Sequence, residues 1–140
     1  NMVAVCWGNR DAHSNEDKSC DAKRGSLKDI QQSMKKINVF DGTTLSDIKY
    51  SSDGTIYSND KDLDEDLNLR LNLNCEARRL KECRLQALHA LHRSIAQKYF
   101  GKTAPQSYYQ KLMEHYTAQQ EMKTPYSGIL IYWLNKHIRQ

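Results

Sequence analysis

With 140 residues, 39% of them hydrophobic and 27% charged, the chain can bury one ordinary core and little of a second. No stretch approaches the roughly 20 consecutive apolar residues that cross a bilayer, and no charged-then-apolar leader is visible, which predicts a soluble, cytoplasmic protein. The net charge of +4 is uneven: residues 1–74 carry 10 Lys/Arg against 13 Asp/Glu, and residues 75–140 carry 11 against 4.

The first predicted element is the short apolar run Asn1-Met-Val-Ala-Val-Cys6. It ends on a cysteine and gives way to small, polar and basic residues, as where a strand or loop delivers ligands to a metal beside an anionic substrate. Because the chain opens on Asn1 rather than Met, it is expected to be the remainder of a longer protein. Residues 9–18 are polar and aperiodic and predict an exposed loop. Cys20-Asp21-Ala-Lys23-Arg24-Gly25 follows, and residues 26–40 fit either a connector or a short helix.

Ile48 to Tyr57 predicts a β-hairpin, with Asp53-Gly54 supplying the positive φ angles of a two-residue type I′ turn. Leu67, Leu69, Leu71 and Leu73 alternate with polar residues in the manner of a strand. For residues 68–74 the favoured reading is instead a loop or short helical turn that drops leucines into the core before Asn74 caps the next helix. Leu80, Ala87, Leu88, Leu91, Ile95 and Tyr99 then fall at helical spacing and Gly101 is a stop, predicting a helix over about 75–100. Thr103 with Pro105 opens a second helix, carrying Tyr109, Leu112, Met113 and Tyr116. Thr124 with Pro125 opens a third, carrying Leu130, Trp133, Leu134 and Ile138. The fold class is therefore α+β, with a small mixed lobe and hairpin over 1–66 and a helical region over 67–140.

The basic second half is the natural electrostatic footprint for nucleic acid, because basic surface releases counterions from phosphate; solvated helix faces account for the same charge equally well. The four cysteines, at 6, 20, 75 and 83, have nothing beside them that points to export and are read as thiols or metal ligands. Cys6 and Cys20 make half of a tetrahedral zinc site or a pair of small buried thiols. Cys75 and Cys83 lie two helical turns apart, roughly 12 Å, too far for one disulfide or one zinc ion, and are packing residues. His89 and His92 sit at i, i+3, yet no HExxH is present, and the polar edge of an amphipathic helix explains both. The aromatic set Tyr108, Tyr109, Tyr116, Tyr126, Tyr132 and Trp133 suits base stacking beside lysines, although helical spacing favours a core or partner interface.

Two landmarks carry a family resemblance. Asn1 to Cys6 followed by Cys20-Asp21-Ala-Lys23-Arg24 resembles the second half of an HNH nuclease motif. Asp66-Leu-Asn-Leu-Arg-Leu71-Asn72-Leu73-Asn74, followed by Arg78-Arg79-Leu80 and Arg84, resembles the C-terminal half of the HNH endonuclease subunit of Septu and retron-associated anti-phage systems. The resemblance implies a partial ββα-metal lobe and a metal-dependent hydrolase of phosphodiester bonds, with a general-base histidine upstream of Asn1.

On this resemblance Asn1 orients the base loop, and Lys23 and Arg24 hold the scissile phosphate. Two alignments compete for the last ligand position: Asn9, or Asp21 with the cysteine pair split into Cys6 and Cys20. Asp21 is favoured, because a carboxylate is a good hard ligand for Mg²⁺ or Mn²⁺ and a neutral amide a weak one. The implied partners are nucleic acid and an ATPase subunit docking on the C-terminal helices, with reverse transcriptase and non-coding nucleic acid in the retron setting. The rival reading is a non-catalytic helical adaptor with a vestigial metal lobe.

Overall fold

The computed structural model describes residues 6–38, 42–118 and 124–138, and Asn1 lies outside them. The chain divides into two compact units, 1–81 and 82–140. The predicted division after residue 66 falls earlier because the leucine-rich segment packs into the first unit: Leu67 is buried with Ile56 and Leu63, and Leu73, Ile48 and Tyr50 close around them. The fold is α+β: the described residues form a two-stranded antiparallel sheet and several helices. Among the described residues no helix is long and apolar enough to cross a membrane.

The hairpin forms where the sequence places it, with β1 (Ile48–Tyr50) pairing β2 (Ile56–Ser58) in the register Ile48↔Ser58, Tyr50↔Ile56. Its turn differs from the predicted two-residue type I′. Residues 51–55 intervene, the Gly54 amide donates to the Ser51 carbonyl at 3.1 Å, and of the Asp-Gly pair only Gly54 has positive φ, +82°. Asp53 supplies the reason: its carboxylate accepts from the Ser51 hydroxyl and from the Thr55 amide and hydroxyl. These bonds, the Ser51 one above all, hold its pKa down to about 2. A side chain that caps its own turn fixes a longer loop than the dipeptide alone would.

Asp60 opens α3 (Lys61–Glu65) by accepting from the Leu63 amide at 3.0 Å, a side-chain N-cap. The chain then widens into a π-helical turn, Asp66–Arg70. This is the short helical turn expected in place of a strand: Leu67 is buried while Leu69 is 44% exposed. Asn74 does not cap the next helix, which starts later. Its side chain instead extends the sheet, accepting from the Ile56 amide and donating to the Ile56 carbonyl, both at 2.9 Å. Beneath it Asp66, fully buried, accepts from the backbone amides of Lys35, Lys36 and Ile37 at 2.7–3.0 Å and faces the Arg70 guanidinium at 3.5 Å. Arg70 donates in turn to the Ser33 carbonyl at 2.8 Å. One acid and one base on a single turn thus anchor residues 33–37.

The helical unit holds α4 (Leu80–Lys98), whose first two residues belong to the first unit, α5 (Gln106–Thr117) and α6 (Ser127–Ile138). The helix stops near the predicted place, but the left-handed residue that ends it is Phe100, at φ +52°, which donates to the Gln97 carbonyl at 3.5 Å, while Gly101, at φ +75°, follows and donates to the Ala96 carbonyl at 2.8 Å, the paired bonds of a Schellman closure. Leu91, Ile95, Tyr109, Ile129, Leu130 and Leu134 are buried. Trp133 is clasped between His92, 4.6 Å between ring centroids, and His137, stacked at 3.7 Å. Tyr109 meets the indole edge-on at 6.0 Å.

This cluster makes the helical unit sensitive to acid. Burial holds His92 below the ordinary value of 6.5, and repulsion from His89 and His137 adds to the effect. As pH falls the unfolded chain takes up the proton first, so stability is complete above about pH 7 and is lost between 6.5 and the depressed folded value. The melting temperature followed by Trp fluorescence should drop across that interval, with a flatter profile in His92→Phe. A wild-type profile as flat as the variant's would show that the ring is not what the proton destabilises.

Candidate functional site

The site is built where the chain doubles back on itself. Gly8, at φ +64°, approaches so closely that a Cβ there would lie 2.1 Å from the Ser19 carbonyl oxygen and 3.0 Å from the Ala22 Cβ. The Ser19 amide donates to the Gly8 carbonyl at 2.9 Å. Residues 9–18 are therefore a largely exposed loop, as predicted, closed at its base and carrying one 3-10 turn, Asn15–Asp17. From the base springs α1 (Cys20–Arg24), whose first amide donates to the Leu71 carbonyl at 2.7 Å.

Closing the loop at Gly8–Ser19 brings Cys6 and Cys20 close enough for each to influence the other's ionisation. The Arg78 guanidinium lies 3.8 Å from the Cys6 sulfur. Burial works against ionisation of Cys6, but the Gly8 amide, the Cys20 thiol and Arg78 outweigh it and hold that thiol below the ordinary cysteine value. Burial pushes the Cys20 thiol up, and its neighbour Cys6 pushes the same way. The two thiols are thus shifted in opposite directions, Cys6 down and Cys20 up.

Asp21 and Arg24 are side by side on α1, joined at 2.5 Å with side chains 39% and 42% exposed. Lys23 points the other way. Its ammonium is buried and bonded to the Glu16 carboxylate at 2.9 Å and the Asn15 carbonyl at 3.2 Å, which makes it a brace for the loop. Asn9, at φ +57°, spends its amide on the Asp17 carbonyl at 3.0 Å. Of the four predicted ligands the fold therefore brings Cys6 and Cys20 to the base of one loop, places Asp21 next along α1 with its carboxylate on Arg24, and ties the Asn9 amide nitrogen into the loop.

Three contributors escape the sequence reading. Asn72 donates to the Glu16 and Lys18 carbonyls, both at 2.8 Å, and Cys75 donates from a buried thiol to the Glu16 carbonyl at 3.6 Å. Arg78 is the third. All lie in or beside the second landmark, and its recurrence with the first is the only signal that joins them. His89 and His92 stay apart as ligands, with rings 6.5 Å from centre to centre and His92 packed on Trp133. Cys83 is half-buried, in the other unit.

The donors divide by hardness. Two sulfurs suit a soft ion such as zinc, which takes four ligands, and the Asp21 carboxylate suits Mg²⁺ or Mn²⁺, which accept one or two carboxylates and complete their shell with water. Among the described residues no three His, Cys, Asp or Glu side chains gather into a metal cage. No protein-family model, curated protein or solved structure matches this chain.

Proposed function

We propose that the chain carries the second half of an HNH-type, metal-dependent nuclease centre, in which Cys6 and Cys20 form a cysteine pair split by the loop and Asp21 takes the last ligand position. The observation that supports it most is the closure of the loop at Gly8–Ser19. An insertion folded out in this way returns the chain to Ser19-Cys20-Asp21 beside Gly8, two residues after Cys6, as the split-pair alignment requires. On this reading the step from Cys6 into α1 belongs to a ββα-metal lobe.

A divalent ion held there would supply charge stabilisation at the leaving oxygen. Asp21 would hold it, and Arg24, freed from its 2.5 Å contact with Asp21, would steady the scissile phosphate. Lys23 braces the loop beneath. Asn1, which would orient the base loop, lies outside the described residues. The basic second half would meet nucleic acid, and the C-terminal helices an ATPase subunit of an anti-phage complex.

The test is plasmid or tRNA cleavage with Mg²⁺ or Mn²⁺ by the full-length protein bearing this sequence. Asp21→Ala is expected to lose roughly 100-fold in rate or metal affinity, with Asn9→Ala nearly unchanged. The reverse pattern would restore Asn9 to the ligand position. Absence of metal-dependent cleavage by the unaltered protein would favour the non-catalytic adaptor.

A further inference from the structure

We propose that the loop base beside Cys6 receives an unpaired strand of nucleic acid, with Trp7 stacking a base and Arg10 and Arg78 holding phosphates. The assignment rests on the nuclease reading and gives that centre its class of substrate. Trp7 follows Cys6 and precedes Gly8, whose closure onto Ser19 fixes the base of the loop. Its side chain is nevertheless 60% exposed. The Arg10 guanidinium lies over the indole, 5.2 Å from the ring centroid, a cation–π contact that steadies the ring while most of it stays open to solvent. Arg78 comes in from 72 positions along the chain to within 3.8 Å of the Cys6 sulfur. Buried Cys75 and Leu80 anchor the backbone on either side of it, and the Arg79 amide closes onto the Glu76 carbonyl at 2.8 Å.

The charges around the loop base decide what can dock there. Lys23 and Arg24, the cations that the sequence offers for phosphate, are engaged by Glu16 and Asp21. Arg10 and Arg78 form no ion pair with a carboxylate among the described residues. An open aromatic ring between such cations is the arrangement by which proteins hold single strands. In a duplex both faces of each base are covered by stacked neighbours, so the indole can reach only a base that is unpaired. Phosphates are presented by either form. Trp7 therefore selects the strand, and the arginines add affinity for strand and duplex alike. Every base has a stacking face, so this selection is indifferent to sequence and common to DNA and RNA.

The test uses the full-length protein bearing this sequence, without divalent ion, and a fluorescein-labelled oligonucleotide of about 20 nucleotides. Fluorescence anisotropy compares the single strand with its duplex, each made as DNA and as RNA. The strand should bind about tenfold more tightly than the duplex in at least one of the two chemistries. Trp7→Ala should erase that margin and Trp7→Phe should recover part of it, with duplex affinity unchanged. Arg78→Ala should weaken strand and duplex alike and lower the salt slope by about 1, which Arg78→Lys restores. The strand should also quench Trp fluorescence in the parent and not in Trp7→Phe. Circular dichroism matching the parent confirms that each variant is folded. A duplex bound as tightly as the strand, a margin that survives in Trp7→Ala, or binding of neither form overturns the proposal. Metal-dependent cleavage, measured separately, keeps the two readings apart. Cleavage by a protein whose margin survives in Trp7→Ala sinks the stacking role and spares the nuclease, whereas strand selection by Trp7 without cleavage sinks the nuclease and supports the stacking role.

Discussion

Replacing Asp66 with Ala is expected to destabilise the first unit by roughly 3–5 kcal/mol, the usual cost of removing one partner from a buried, hydrogen-bonded ion pair. The carboxylate is fully buried and serves the Lys35, Lys36 and Ile37 amides as well as facing Arg70. Its loss strands three backbone donors at once and leaves the buried Arg70 guanidinium with Glu65 at 3.3 Å and the Ser33 carbonyl. Asp66→Asn keeps the volume but turns an NH₂ group toward those amides, so it should recover only part of the loss. Urea unfolding followed by circular dichroism measures the difference, and amide exchange localises it to residues 35–37. A change below about 1 kcal/mol would mean that water or main-chain rearrangement satisfies those donors.

Trp133→Ala should cost the helical unit about 3 kcal/mol, near the lower end for large aromatic truncations because the indole is only half-buried. The sequence leaves its stripe open between core and interface. The fold makes Leu130 and Leu134 core, 3% and 0% exposed, and leaves Tyr126 at 40%. The variant should unfold earlier in heat even as a purified monomer, and Leu134→Ala should do so at least as strongly. Unchanged melting in both would remove α6 from the core of this unit.

What could be read in advance was local. The hairpin position, the helix stop near Gly101 and the three C-terminal helices follow from turn chemistry and apolar spacing, which act over a few residues. What escaped is side-chain bonding to distant backbone. Asn74 looked like a helix cap because Asn caps helices, but its partner is Ile56, 18 positions back. Lys23 looked like a phosphate grip because lysine next to arginine usually faces solvent, and nothing in the sequence announces the Glu16 carboxylate that draws it inward. The hairpin loop was misjudged for a related reason, since Asp53 uses its side chain as well as its backbone.

The grip of residues 71–75 on everything before them sets an order of events in time. Leu71 holds the first residue of α1, Asn72 and Cys75 reach back 56 and 59 positions to the loop, and Asn74 clips the second strand. Closing such distant loops costs entropy before any contact repays it, which slows folding. During synthesis, then, the cysteine pair and Asp21 leave the ribosome long before the segment that secures them. A nascent chain arrested before residue 75 would carry Cys6, Cys20 and Asp21 without the bonds from residues 71–75 that hold the loop and α1.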